Sequence, residues 1–375
     1  MAGIYLHIPF CKQACHYCDF HFSTSTQNQD KVVDAIIAEI ELRQGYLKDK
    51  SIETIYFGGG TPSLLTQEQV KKLLDKVRIV YTVDQNAEIT LEANPDDLNH
   101  IKLEQLKQAG INRLSIGIQS FRERDLFFMN RSHTKDQAIK CVANAQALGF
   151  DNITIDLIYG VPNQTNEEWR KNLLQAISLN IQHISSYCLT VEPKTTLAHM
   201  VKQKQVFQVT DEFAEKQFKM LIETLAENGF EQYEISNFAK DGFISLHNSN
   251  YWKGVEYIGL GPSAHSFDGK SRQWNVANNN RYMKFLENGK LDFEREILTE
   301  EQKYNEYILT TLRTKWGIDE NEIIQRFSLK IIDFFQKEVK KHQNDGFLTQ
   351  NEKLFVLTKK GKFLADRIAS DLFYI

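Results

Sequence analysis

Three cysteines fall within eight residues near the N-terminus, Cys11-Lys-Gln-Ala-Cys15-His-Tyr-Cys18. Three thiolates at this C-x3-C-x2-C spacing can hold three corners of a cubic [4Fe–4S] cluster and leave the fourth iron open to a small molecule. A fourth Cys ligand would instead close the cluster into an electron-transfer centre. His7, His16 and His21 lie nearby, so a Cys3His zinc site is the alternative, although the spacing is not that of the usual finger pairs. A disulfide fits less well: the chain holds five Cys, an odd number, and no segment reads as a signal peptide. A reducing cytoplasm is the expected setting. Cys141 and Cys188 sit in apolar helix-like and strand-like contexts and are expected to be buried small residues rather than ligands.

The elements around the cysteines place them. Residues Gly3 to Ile8 alternate and favour β structure, and Pro9 ends that run, so the cysteines fall on the loop after a first strand. Further strands are expected at Thr54–Phe57, Glu88–Glu92, Arg113–Ile118, Asn152–Ile158 and His183–Leu189. Between and after them the apolar spacing predicts helices over Lys31–Gln44, Gln67–Val80, Ile101–Ala109, Lys135–Leu148, Glu167–Leu179 and Asp211–Asn228. Gly45, Gly110, Gly149 and Gly229 each follow such a stretch, where a left-handed cap is expected, and Asn166 suits an N-cap before Glu167 and Glu168. Strand–helix alternation argues for an α/β fold with a parallel sheet. Six units are fewer than the eight of a closed TIM barrel, so the expected architecture is an open six-stranded (β/α)6 partial barrel, with its site on the loops after the strands.

The pattern then changes. Residues 1–235 form the expected barrel. Residues 236–295, rich in Asn, Gly, Ser and aromatics, read as substrate-facing loops and short strands. Residues 296–375 read as helices (Glu301–Lys315, Glu320–Arg326, Lys330–His342) followed by strand, strand and helix, a small winged-helix-like α+β unit. With 42% hydrophobic and 25% charged residues and a net charge of −4, the composition is that of an ordinary soluble protein and argues against a general nucleic-acid binder. No apolar run approaches the roughly 20 residues needed to span a bilayer.

Small and polar groups recur where the strands end. Gly58-Gly59-Gly60-Thr61-Pro62 follows the second strand, Glu92-Ala93-Asn94-Pro95 ends the third, and Gln119-Ser120 ends the fourth. Met129-Asn130-Arg131 comes next, and Asp156 lies in the fifth strand. With the cysteine spacing, these motifs resemble the radical S-adenosylmethionine (SAM) superfamily. A zwitterionic sulfonium with a ribose needs such a set: Arg131 would fork onto the carboxylate, while Glu92 and Asp156 would accept from ribose hydroxyls or the ammonium. Their order along nearly the whole chain is similar to the oxygen-independent coproporphyrinogen III oxidase group. That resemblance implies Cys11, Cys15 and Cys18 as cluster ligands. It implies Tyr5, Tyr17, Gly59, Gly60, Thr61, Glu92, Gln119, Arg131 and Asp156 as SAM contacts. Gly259-Leu-Gly-Pro-Ser-Ala-His265-Ser also resembles a loop of this group.

Two departures point to one branch. The oxidases have a fourth cysteine two residues past the third, where this chain has Phe20, and an extension ahead of the first strand, whereas this chain begins at strand one. Both features match the HemW branch of haem chaperones, and His247-Asn-Ser-Asn-Tyr251-Trp252 resembles the branch's H-N-x-x-Y-W motif, to which haem binding is attributed. A neutral imidazole is a usual axial ligand of haem iron, and Tyr251 and Trp252 offer flat apolar area for a macrocycle. The structural alternative is a loop His packed over Tyr and Trp.

The expected function is therefore haem binding and haem transfer to an acceptor protein, with haem, a [4Fe–4S] cluster and SAM as bound groups. In this reading the cluster serves transfer or homodimer formation, and SAM is bound and open to cleavage. The alternative is radical oxidative decarboxylation of the propionates of coproporphyrinogen III. No segment reads as a docking motif for a named acceptor, for nucleic acid or for a membrane.

Overall fold

A computed structural model describes residues 1–375. Six parallel strands lie side by side in chain order: β1 (Ala2–Ile8), β2 (Ser51–Gly59), β3 (Thr82–Ala93), β4 (Arg113–Gln119), β5 (Asn152–Tyr159) and β6 (His183–Cys188). Side chains alternate across each strand. Ile55, Phe57, Leu91, Leu114, Ile116, Ile153 and Ile155 face the surrounding helices in one large apolar core. Thr54, Thr90, Arg113 and Thr154 take the opposite face, where Arg113 donates to the Thr90 and Thr154 hydroxyls and pairs with Glu88. The barrel lumen is thus polar at mid-height. The same two-residue period carries Tyr56, Glu92, Gly117, Gln119 and Asp156 to the lumen side at the C-terminal ends of their strands.

Helices cover the outer face, several of them started by local signals. Thr66 with Gln69, Thr134 with Gln137 and Thr165 with Glu168 form reciprocal caps, in which the hydroxyl accepts from the third backbone N–H and the longer side chain reaches back. The N-cap of the sixth-strand crossover is therefore Thr165 and not Asn166: Thr165 holds the extended backbone a cap needs, and Asn166 is already helical. Gly110, Gly149 and Gly229 follow their helices with positive φ, whereas Gly45 does not, because the first helix stops at Leu42.

The barrel strands form the centre of a twelve-stranded sheet. Beyond β6 come β8 (Asn237–Ala239), antiparallel to β6, and β7 (Glu231–Glu234), antiparallel to β8. Beyond β1 lies β9 (Tyr257–Leu260), parallel to it, then antiparallel β10 (His265–Phe267), β11 (Ser271–Asn275) and β12 (Phe293–Ile297). The segment 236–295, expected as loops and short strands, also packs into the main core through Phe238, Ile258, Leu260, Tyr282, Met283 and Leu286. Its regular pairing is weak in the sequence because each strand is short and borrows order from a neighbour already in place.

A second core runs from Tyr304 to Leu372. Helices Glu300–Leu312, Glu320–Arg326 and Leu329–Asn344 pack on a three-stranded antiparallel sheet of β13 (Ile318–Asp319), β14 (Leu348–Asn351) and β15 (Leu354–Leu357), with β15 central. No helix is long and apolar enough to cross a membrane.

Candidate functional site

The loop after β1 is closed at its base by two backbone hydrogen bonds, Cys11 N to the Ser23 carbonyl (3.0 Å) and Ser23 N to the Pro9 carbonyl (2.9 Å). Its three thiols are free and half-buried. Thr61 Oγ1 donates to Cys11 Sγ at 3.5 Å, and Arg131 Nη1 to Cys15 Sγ at 3.2 Å. Removal from water raises the Cys11 thiol and pushes Cys18 up to about 11, so metal must displace protons to bind here. No three His, Cys, Asp or Glu side chains converge on a point that would hold one ion. A mononuclear Cys3His site is not assembled in this arrangement.

A cavity of about 960 Å³ opens beside these thiols, lined by Tyr17, Gly59, Gly60, Thr61, Glu92, Gln119, Arg131 and Asp156. Its floor depends on two glycines. Gly59 has φ +104°, and a Cβ on Gly60 would lie 2.6 Å from the Phe10 carbonyl oxygen. Gly59 N donates to Glu92 Oε2 (3.2 Å) and the Tyr56 hydroxyl to Glu92 Oε1 (2.8 Å). Desolvation still pushes Glu92 up to about 7, with nearby Asp156 adding to the rise against those two hydrogen bonds. Asp156 is raised to about 6 by desolvation, opposed by Arg113 and Arg131. Arg131 Nη2 donates to Asn94 Oδ1 (2.7 Å) and the Gly117 carbonyl (2.6 Å), and its Nε is buried with no partner. Gln119, at φ +67° beside a register break between β4 and β5, holds a backbone conformation that costs energy outside glycine. An unsatisfied guanidinium N–H, two proton-hungry carboxylates and a glycine floor fit a small zwitterion with hydroxyls.

Tyr5 stands apart from that set. It stacks on Tyr56 (ring centroids 6.2 Å apart), bonds His7 Nδ1 at 3.1 Å, and lines a second cavity of about 980 Å³ on the β1–β9 side. Conversely, several residues of the first cavity carry no obvious signal in the sequence. Cys188 is half-buried on its wall rather than in the core, because β6 ends there. Tyr187 precedes it, and its place two residues after Ser185 on the lumen-facing period could have marked it. Arg313 and the stretch 362–367 arrive from the second core, which docks over the open side of the barrel. Nothing local marks them.

The H-N-x-x-Y-W motif forms the helix Leu246–Trp252, capped by Ser245. The Glu88 carboxylate accepts from Leu246 N (3.0 Å) and His247 N (2.9 Å), an anion at a helix start. His247 is only 2% exposed. Its Nδ1 bonds Thr54 Oγ1 at 2.8 Å and its Nε2 the Tyr251 hydroxyl at 2.9 Å. Desolvation, and then Arg113, hold its pKa down to about 3. Both ring nitrogens are therefore engaged, and this arrangement presents no lone pair to a metal. Tyr251 and Trp252 do line the second cavity; His247 does not. The loop Gly259–His265 is pinned by a buried ion pair: Arg43 donates to Glu39 (3.1 Å) and to the Gly259 carbonyl (2.8 Å), while Glu39 accepts from Gly261 N (2.8 Å) and Asn275 Nδ2 (2.7 Å).

Comparison with known proteins agrees with this layout. The Radical SAM superfamily matches residues 5–176 and the HemN C-terminal domain residues 298–364. The heme chaperone HemW of Bacillus subtilis (strain 168) is 34% identical over 372 residues, spanning 98% of both chains. That of Escherichia coli (strain K12) is 32% identical over 98% of this chain and 96% of the relative. Among solved structures, coproporphyrinogen III oxidase (HemN) from Escherichia coli, described as a radical SAM enzyme, shares the fold with a TM-score of 0.85. That match covers 99% of this chain and 90% of that one at 24% identity. Similarity at this level along the whole length has one consequence: the chain belongs to the HemW family of the radical SAM superfamily.

Proposed function

We propose that the protein binds haem and hands it to acceptor proteins, with a [4Fe–4S] cluster on Cys11, Cys15 and Cys18 and SAM at the open iron. The observation that carries this reading is the pair of cavities that share one wall. Asp19 and Phe20, directly after Cys18, line both. The first holds the polar set that suits SAM. The second is lined by Tyr251 and Trp252 of the motif helix, with further aromatic rings, and its volume suits a large planar ligand.

In the first cavity Arg131, through its free Nε–H, would bind the carboxylate of SAM. Glu92 and Asp156 would accept from its ammonium or ribose hydroxyls, and Gly59, Gly60 and Thr61 would let its amino end approach the backbone. Tyr17 and Gln119 complete the wall. When bound, cluster and SAM supply one-electron chemistry at a sulfonium. The chain itself orients the carboxylate, shields the thiols and keeps the lumen polar. In the second cavity Tyr251 and Trp252 would lie against haem, and His247 would position them through its bond to the Tyr251 hydroxyl. Of that helix's buried polar atoms, Trp252 Nε1 has no protein partner, and Trp252 lines this cavity.

The test is a haem titration of the purified chain together with anaerobic incubation of the cluster-loaded protein with reductant, SAM and coproporphyrinogen III. A stoichiometric Soret band with no protoporphyrinogen IX is expected. Formation of protoporphyrinogen IX would overturn the reading in favour of the oxidase, and absence of a Soret band would remove the haem assignment.

A further inference from the structure

We propose that the iron of the bound haem is ligated by His265, in the second cavity, while His247 stays a supporting residue behind the wall; this rests on the haem reading above. Three imidazoles line that cavity. His7 is buried and engaged at both nitrogens, by the Tyr5 hydroxyl (3.1 Å) and the His21 carbonyl (2.9 Å). His21 Nε2 is held by Asn279 Oδ1 at 2.8 Å. His265 is exposed, its ring has no hydrogen-bonding partner, and it leans on Trp274 with centroids 6.0 Å apart at 25°.

The backbone below that free ring is rigid. Ser266 Oγ is buried between Gly259 N (2.9 Å) and Arg43 Nη2 (3.0 Å), and β10 pairs with both β9 and β11. A fixed strand presenting an imidazole with both ring nitrogens free can offer one of them to iron. Desolvation and Arg272 lower the pKa of His265, which favours the neutral, ligating form.

The remaining chemistry of the cavity points to the same ligand. No three metal-ligating side chains converge in this structure, so a bare ion has no home beside His265. One imidazole suffices only for a metal that brings its own equatorial nitrogens, as a porphyrin does. Lys253 and Lys303 stand on the cavity wall without a carboxylate partner, while Arg272 and Arg326 are paired with Glu306 and Glu322. Two ammonium groups without carboxylate partners, that of Lys253 lying over the Trp316 ring, suit the two propionates of haem. Tyr257 and Phe267 add apolar face. Phe20, 67% exposed at the position that separates this branch from the oxidases, stands on the wall shared with the cluster cavity and would meet the macrocycle on that side.

The experiment compares the wild-type chain, His265→Ala and the double variant Lys253→Glu/Lys303→Glu in haem titrations. Circular dichroism checks the fold, which substitutions at exposed His265 and Lys253 and half-buried Lys303 should leave unchanged. His265→Ala should shift the Soret maximum and weaken binding by at least about ten-fold, and added imidazole should restore the wild-type band. The double variant should weaken haem binding but leave binding of haem dimethyl ester unchanged. An unaltered Soret band and affinity in His265→Ala, or no restoration by imidazole, would overturn the assignment while leaving haem binding itself intact. A wild-type chain without a Soret band would instead remove the haem reading on which the assignment rests.

Discussion

The imidazole of His247 and the ring of Tyr56 lie in a near-parallel stack, with centroids 4.9 Å apart and planes at 21°. The Tyr56 hydroxyl donates to Glu92, on the wall of the first cavity. The H-N-x-x-Y-W helix therefore reaches the first cavity through one aromatic ring and the second through Tyr251 and Trp252. A helix so placed ties the geometry of the two cavities together.

Replacing His247 by Ala should destabilise the barrel by about 2–4 kcal/mol, because it opens a void and leaves the Thr54 and Tyr251 hydroxyls without their partner. Chemical denaturation against wild type measures this. The pH dependence has a definite sign. The folded-state pKa of about 3 lies below the ordinary 6.5, so the unfolded chain takes up the proton first. Stability from this residue is present above pH 6.5 and is lost as pH falls from there towards about 3. Wild-type stability in the variant would sink the supporting role.

Glu92 should make SAM binding pH-dependent, while its effect on the stability of the SAM-free chain runs opposite to that of His247. Its carboxyl is raised from 4.5 to about 7, chiefly by desolvation. The folded chain holds a proton that the unfolded chain releases, so this group's contribution to stability without SAM declines as pH climbs through that interval. A bound ammonium favours the carboxylate. Calorimetric SAM titrations of cluster-loaded protein should therefore show several-fold tighter binding at about pH 8 than at about pH 6. Glu92→Gln should flatten the difference, and equal wild-type affinities would exclude the carboxylate as a contact.

Arg131→Lys should cost about ten-fold or more in SAM affinity while the iron content stays near that of wild type. The guanidinium serves Asn94, Gly117 and Cys15 at once and still has a free Nε–H. A lysine ammonium cannot reproduce that fork. Undiminished affinity would show that the carboxylate of SAM sits elsewhere.

Cys15→Ala should abolish cluster assembly, read as iron and sulfide per chain after anaerobic reconstitution, with little change in the thermal transition of the metal-free chain. The thiol is half-buried on a loop and contributes little packing. Cys141→Ala is the control: its thiol lies buried on the helix Lys135–Ala147, and iron binding should be unaffected. Iron retained in Cys15→Ala would remove this residue from the ligand set.

The chain's own chemistry determined much of this. The spacing of Cys11, Cys15 and Cys18 is covalent, and Pro9 places them on a loop whatever surrounds it. The two-residue period of a strand puts Glu92 on the face of Thr90, and Asp156 on that of Thr154, before any partner strand is known. Helix ends followed from Thr, Gln and Gly chemistry within four residues. Only the tertiary structure decided where His247 points. Its motif offered an imidazole beside two aromatics, but insertion of its helix among Thr54, Tyr56 and Glu88 engaged both ring nitrogens. Likewise Tyr5 faces the β1–β9 side because β9, more than two hundred residues later, pairs with β1 and walls off a second cavity. His265, Arg313 and residues 362–367 reach the cavity walls through the same long-range closure. Local structure depends on the spacing of neighbours along the chain; whether a group is sealed, paired or left free depends on what distant segments pack against it.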